Sequence, residues 1–190
     1  SGLMTYYAQD LTICETLLRF FCEYTEQFVA MLDREQSLAL FNSAATLLKS
    51  YSANHCASNT MTAVKSAVEA VAEEEHAYGA ILSAIRLLIN LGTKDFIDAC
   101  SSEEGVESTQ VTDLIFFGLQ QILPLMTQGL LQFPILCSQF FDLVGFMMDT
   151  YPEKVCVLPF DLFDSLLECL LFGMRHHDAI VAKCSLHGIG

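Results

Sequence analysis

The chain has 190 residues, 53% of them hydrophobic and 17% charged, with a formal net charge of −14 from nine basic and 23 acidic side chains. Charged residues make up about 25% of an ordinary globular chain, so this one is unusually apolar, yet it lacks the roughly 20 uninterrupted apolar residues that a membrane span requires: its most apolar window, 129–148, is broken by Gln132, Pro134, Ser138, Gln139 and Asp142. The basic residues are scattered singly, which argues against direct nucleic-acid binding, since displacing phosphate counterions needs clustered cations; an acidic field favours basic protein partners instead.

Hydrophobic periodicity predicts helices near 4–24, 34–53, 73–92, 109–126, 134–150, 159–174 and 178–188. In the first, Ile13, Leu17 and Phe21 recur at i, i+4, i+8, and in the second Leu38, Phe41, Ala45 and Leu48 form the stripe. Residues 54–72 are small and polar and read as an insertion between helices; His55-Cys56 within it lacks the third member and electropositive surround of a catalytic cysteine. The run Glu73-Glu74-Glu75-His76 opens the third helix, where acids complement the helix dipole. Adjacent helical residues point about 100° apart and do not converge as an acid–base pair. Ile81, Ile85, Leu88 and Gly92 carry that helix, widened by Leu82, Ile89 and Leu91.

Residues 99–108, ACSSEEGVES, read as a second insertion, and its exposed acids Glu103, Glu104 and Glu107 are the candidate contacts for a basic partner. Ile115, Leu119, Ile122 and Met126 mark the fourth helix, which Pro124 should kink or end. Leu136, Phe140, Leu143 and Met147 mark the fifth, begun by Pro134 and stopped before Pro152. Phe163, Leu167, Leu170 and Met174 mark the sixth, with Leu162, Leu166 and Leu171 as a second stripe and Pro159 at its start. Asp178 is placed to cap the last helix. His176, His177, Asp178, Cys184 and His187 lack the paired spacing of a structural zinc site. The pairs Phe20-Phe21, Phe116-Phe117 and Phe140-Phe141 are expected to pack in the core, one ring inward and the next toward a neighbouring repeat.

Stripes this broad mean helices buried against several neighbours, and no alternating strand pattern or Asn-Gly or Asp-Gly hairpin turn occurs. The expected fold is therefore all-α, a HEAT-repeat-type right-handed α-solenoid of antiparallel helical hairpins. Residues 1–190 form a single solenoid fragment of about three and a half hairpins, whose later hairpins recur after roughly 40–50 residues. The last helix, DAIVAKCSLHGIG, lacks the polar cap of a repeat array, so a piece of a longer solenoid is expected, with apolar ends able to self-associate. The eight cysteines show no CxxC pair, and with no secretion signal they read as buried small hydrophobes in a reducing compartment. No GxGxxG, GxxxxGK[ST] or GxSxG motif is present. The reading is of no enzyme, no cofactor, no metal and no catalytic residue.

Three blocks, EEEHAYGAILSAIRLLINLGTKDFID (73–98), LQQILPLMTQGLLQFPILCSQFFDLV (119–144) and YPEKVCVLPFDLFDSLLECLLFGM (151–174), resemble the C-terminal half of nuclear transport receptors of the exportin-4 type, in the importin-β (karyopherin) superfamily. Residues 1–72 match in helical character alone, and the exportin-7 group has similar architecture. The resemblance implies a HEAT-repeat superhelix that binds Ran-GTP together with protein cargo. It also implies passage through pores by contacts with Phe-Gly nucleoporins, and shuttling between nucleus and cytoplasm. Exportin-4 members are associated with a hypusine-bearing translation factor and a signalling transcription factor as cargo. The alternative is a helical-repeat scaffold or adaptor of a multi-subunit complex without Ran dependence.

Overall fold

In the structure, a computed structural model that describes residues 10–60, 78–94, 109–126, 131, 133–177 and 179–187, every regular element is helical, and no strand occurs among the described residues. The helices are α1 (Leu11–Phe28), α2 (Arg34–Thr60), α3 (residues 78–94), α4 (Thr109–Ile122), α5 (Pro134–Thr150), α6 (Pro152–Val155), α7 (Phe160–Met174) and α8 (Ala179–His187). The chain divides into two compact units, Ser1–Leu125 and Met126–Gly190. Among the described residues no helix is long and apolar enough to cross a membrane.

The helix starts have local causes. Asp10 is extended, and its Oδ1 accepts from the Ile13 N–H at 3.2 Å, so α1 begins at Leu11; residues 4–9 of the expected first helix lie outside the described residues. A side-chain acceptor at the N-cap satisfies one of the four backbone N–H groups that a first turn leaves unpaired. Before α2, Asp33 Oδ1 accepts from the Gln36 N–H at 2.9 Å while Gln36 Oε1 accepts from the Asp33 N–H at 3.2 Å. That reciprocal capping box locks the turn between α1 and α2.

α2 then runs to Thr60, so residues 54–60 of the expected polar insertion are helical. Extending an existing helix adds one backbone bond per residue fixed, and Ala, Ser, Asn and Cys oppose that only weakly. The hydroxyls of Ser43, Thr46 and Ser50 each donate to the carbonyl four residues back, at 2.8, 2.9 and 2.9 Å, so a polar composition is accommodated without leaving the helix. Residues 61–72 and 99–108 lie outside the described residues.

In the first unit, α1 packs on α2 and α2 on α4. Within α3, Ala80, Ile81, Ala84, Ile85, Leu87, Leu88 and Leu91 are fully buried; of the residues expected to widen its stripe Leu91 is buried, whereas Leu82 and Ile89 are half-buried. One edge of α3 meets α1, where the Asn90 Nδ2 donates to Thr25 Oγ1 at 3.2 Å. Another meets α4, where Leu88 presses on Gly118 so closely that an added Cβ would stand 2.6 Å from its Cδ2. The four helices thus contact one another in the cycle α1–α2–α4–α3. Pro124 acts as expected: α4 ends at Ile122 and a single 3-10 turn, Leu123–Leu125, follows.

The α1 stripe sits one residue away from expectation. Cys14, Glu15, Leu18, Cys22 and Thr25 are buried, while Ile13, Leu17 and Phe21 are half-buried at the boundary. Small Cys and Thr side chains let α1 approach its neighbours closely, and the larger side chains lie along the margins.

In the second unit, α5 packs against α6, α7 and α8, and α7 against α8. Its core is the broad face of α5: Leu136, Cys137, Phe140, Phe141, Leu143, Val144 and Met147. Pro134 opens α5 at its first turn and Pro159 stands at the N-cap of α7, as expected, while Pro152, expected to stop α5, also opens the short helix α6.

Candidate functional site

The candidate contacts Glu103, Glu104 and Glu107 lie outside the described residues, as does the run Glu73–His76. His55 and Cys56 fall within α2, with their side chains outside the description. Of the histidine-rich set near the end, the structure places His176 and His177 just after α7, their rings 4.3 Å apart. Asp178 and the side chains of Cys184 and His187 are not among the described residues. Among the described residues no three His, Cys, Asp or Glu side chains are grouped to hold a metal ion.

Two of the described cysteines, Cys22 and Cys169, have thiols raised by burial. Cys14, Cys22 and Cys137 are buried, Cys169 is half-buried and Cys156 is exposed. Burial, reinforced by the neighbouring charge of Glu168, pushes the Cys169 thiol up to about 11. Burial raises Cys22 as well, with Glu26 and Glu23 adding to it and Arg86 opposing. Thiolate is the nucleophile, so neither sulfur is activated at neutral pH. Tyr51 is held above its ordinary value by burial and then by Glu15, both being side chains with at most 2% exposure. A buried carboxyl on α1 was missed in the sequence reading, although Glu15 shares a helical face with Leu18, Cys22 and Thr25 at i, i+3, i+7, i+10.

The paired phenylalanines divide in ways their common spacing did not reveal. Phe140 and Phe141 are both fully buried, edge-to-face with ring centres 5.4 Å apart. Phe116 is buried and Phe117 half-buried. Phe20, expected in the core, is 59% exposed. It stacks on Tyr24 at 6.1 Å, and Tyr24 meets Phe28 at 5.4 Å, in an aromatic row along the outside of α1. Local periodicity marks a side chain as apolar; only the neighbouring helix decides whether it is covered.

The same division is sharpest on α7. Leu162, Leu166, Leu170 and Gly173 are buried, whereas Phe160, Phe163, Leu167, Leu171 and Met174 are exposed. The two predicted stripes thus exchange a residue: Leu170 joins Leu162 and Leu166 on the seated face, and Leu171 joins Phe163, Leu167 and Met174 on the outward one. At its C-terminal end an open hollow of about 800 Å³ is lined by Leu131, Leu171 and Phe172 with Glu168, Arg175, His176 and His177 at the rim. The first unit has shallower hollows, about 240 Å³ beside Phe41 and Phe117 and about 390 Å³ beside Tyr24 and Leu40. The linings of these open hollows mix apolar side chains with polar ones. No family model matches the sequence.

Proposed function

We propose that the chain is a non-catalytic segment of a nuclear export receptor of the exportin-4 type, contributing to Ran-GTP-dependent cargo binding and nucleocytoplasmic transport. The observation that carries this reading is the run of three blocks, 73–98, 119–144 and 151–174, with their shared order and spacing. Its physical side is a HEAT-repeat-type right-handed α-solenoid. In such a solenoid each helix touches its hairpin partner and its counterpart in the next repeat. The cycle of contacts α1–α2–α4–α3 supports that, because two hairpins laid side by side need those four contacts.

The net charge of −14 suits a basic partner and speeds its encounter. Glu103, Glu104 and Glu107 are the proposed partner contacts, with Ran-GTP, protein cargo and Phe-Gly nucleoporins as partners and both nucleus and cytoplasm as locations. The test is a pull-down of the whole protein with Ran loaded with GTP or with GDP. Retention of the GTP form alone is expected. Binding that ignores the nucleotide, or no binding, favours a helical-repeat adaptor without Ran dependence.

A further inference from the structure

The outward stripe of α7 is flanked within the helix by acidic side chains, with Arg175 following at its C-terminal end. Phe160, Phe163, Leu167, Leu171 and Met174 are 77%, 39%, 37%, 43% and 37% exposed. Their spacing, i, i+3, i+7, i+11, i+14, keeps them in a seam nearly parallel to the helix axis, about 21 Å long at 1.5 Å per residue. Phe160, Phe163, Leu167 and Met174 match the positions of a coiled-coil seam, which receives knobs from a second helix, while Leu171 stands one residue beyond the position that the buried Leu170 occupies. Beside it, Asp161, Asp164 and Glu168 are exposed and recur at i, i+3, i+7, so at 100° per residue all three lie on the same flank.

We propose that this face docks an amphipathic helix of a partner protein, whose apolar edge interleaves with the stripe and whose Lys or Arg side chains face the Asp161–Asp164–Glu168 row. A helix is the fitting occupant because the apolar positions repeat with a helical period, the helix-in-groove mode of peptide recognition. Strand addition would need an open sheet edge, and the described residues contain no strand. The carboxylate row selects a basic flank, since like charges set opposite one another would repel. The same electrostatics disfavour a second copy, which would bring a further net charge of −14 to the interface. This inference goes beyond the transport reading and does not require Ran.

The experiment is fluorescence anisotropy on the whole protein with two labelled 18-residue helical peptides. Both carry leucines at seam spacing, one with lysines and one with glutamates along the flank. The lysine peptide is expected to bind at least tenfold more tightly than the glutamate peptide at low salt. Leu167→Glu should weaken it at least tenfold, and the triple change Asp161→Lys, Asp164→Lys, Glu168→Lys should reverse the preference. All four side chains are exposed, and circular dichroism melting checks that the variants fold. Should a variant melt early, hydrogen exchange on the unaltered protein decides: protection of residues 160–174 by the lysine peptide supports the proposal, and protection elsewhere or nowhere overturns it. Equal affinity for the two peptides overturns it. So does a failure to bind accompanied by a dimer, seen in sedimentation, that Leu167→Glu dissolves. No Ran is present in the assay, so its failure and that of the transport reading are distinguishable.

Discussion

Two glycines in the second unit show how much a single position depends on what stands over it. Gly145 on α5 has nothing within 4 Å of an added Cβ, whereas at Gly173 on α7 the added atom would collide with the Ser185 hydroxyl and lie 2.6 Å from the Phe141 ring. The ring is fully buried and Ser185 is tied to the Val181 carbonyl at 2.8 Å, so neither can yield cheaply. Gly145→Ala should therefore stabilise by about 0.5–1 kcal/mol, through the lower conformational freedom of alanine in the unfolded chain. Gly173→Ala should destabilise by about 1–3 kcal/mol, the usual cost of overpacking. Denaturant unfolding of the two variants reads the sign of each change. The sequence distinguishes neither glycine, because both sit in apolar helical runs and the difference arises from side chains 12 or more residues away. Phe20 and Glu15 teach the same lesson: one apolar and exposed, one acidic and buried, each assigned by a neighbouring helix.

Individual helices were far easier to read than individual side chains. The 3.6-residue period and the prolines placed α5 and α7 to within a residue at each end, since a proline at a first turn removes no helical hydrogen bond. Errors gathered where the determinant is a side-chain cap or a gradual loss of propensity. Asp10 as the start of α1 was overlooked, and α2 continues seven residues past its expected end. The doubled stripes were visible on α3, α5 and α7, but their meaning was not uniform. On α3 the widening residues Leu82 and Ile89 are half-buried, on α5 Phe141 and Val144 are fully covered, and on α7 Phe163, Leu167 and Leu171 are left outward. Element ends can be tested through the capping box ahead of α2. Asp33→Ala removes the acceptor for the Gln36 N–H and should cost about 0.5–2 kcal/mol, appearing as a lower melting temperature and faster hydrogen exchange in the first turn of α2. An unchanged first turn would show that packing against α1 alone sets the start of that helix.

The all-helical class followed from periodicity and from the absence of strand patterning, and the described residues agree with it. The transport reading has a different origin. It comes from the likeness of three sequence blocks, and helix packing by itself specifies no partner. Under the proposed function the net charge of −14 favours a basic partner, and the α7 stripe is the proposed place for a helix to dock. Glu103, Glu104 and Glu107 lie outside the described residues, so their role remains a matter of binding kinetics. Where Ran-GTP changes a receptor's affinity for cargo, cargo changes its affinity for Ran-GTP by the same factor, and that coupling separates a transport receptor from an inert scaffold. The decisive quantity is the affinity of the whole protein for the hypusine-bearing translation factor, titrated alone, with Ran-GDP and with Ran-GTP. Binding at least tenfold tighter with Ran-GTP, and unaltered by Ran-GDP, is the predicted result; one affinity in all three titrations would refute the proposed function.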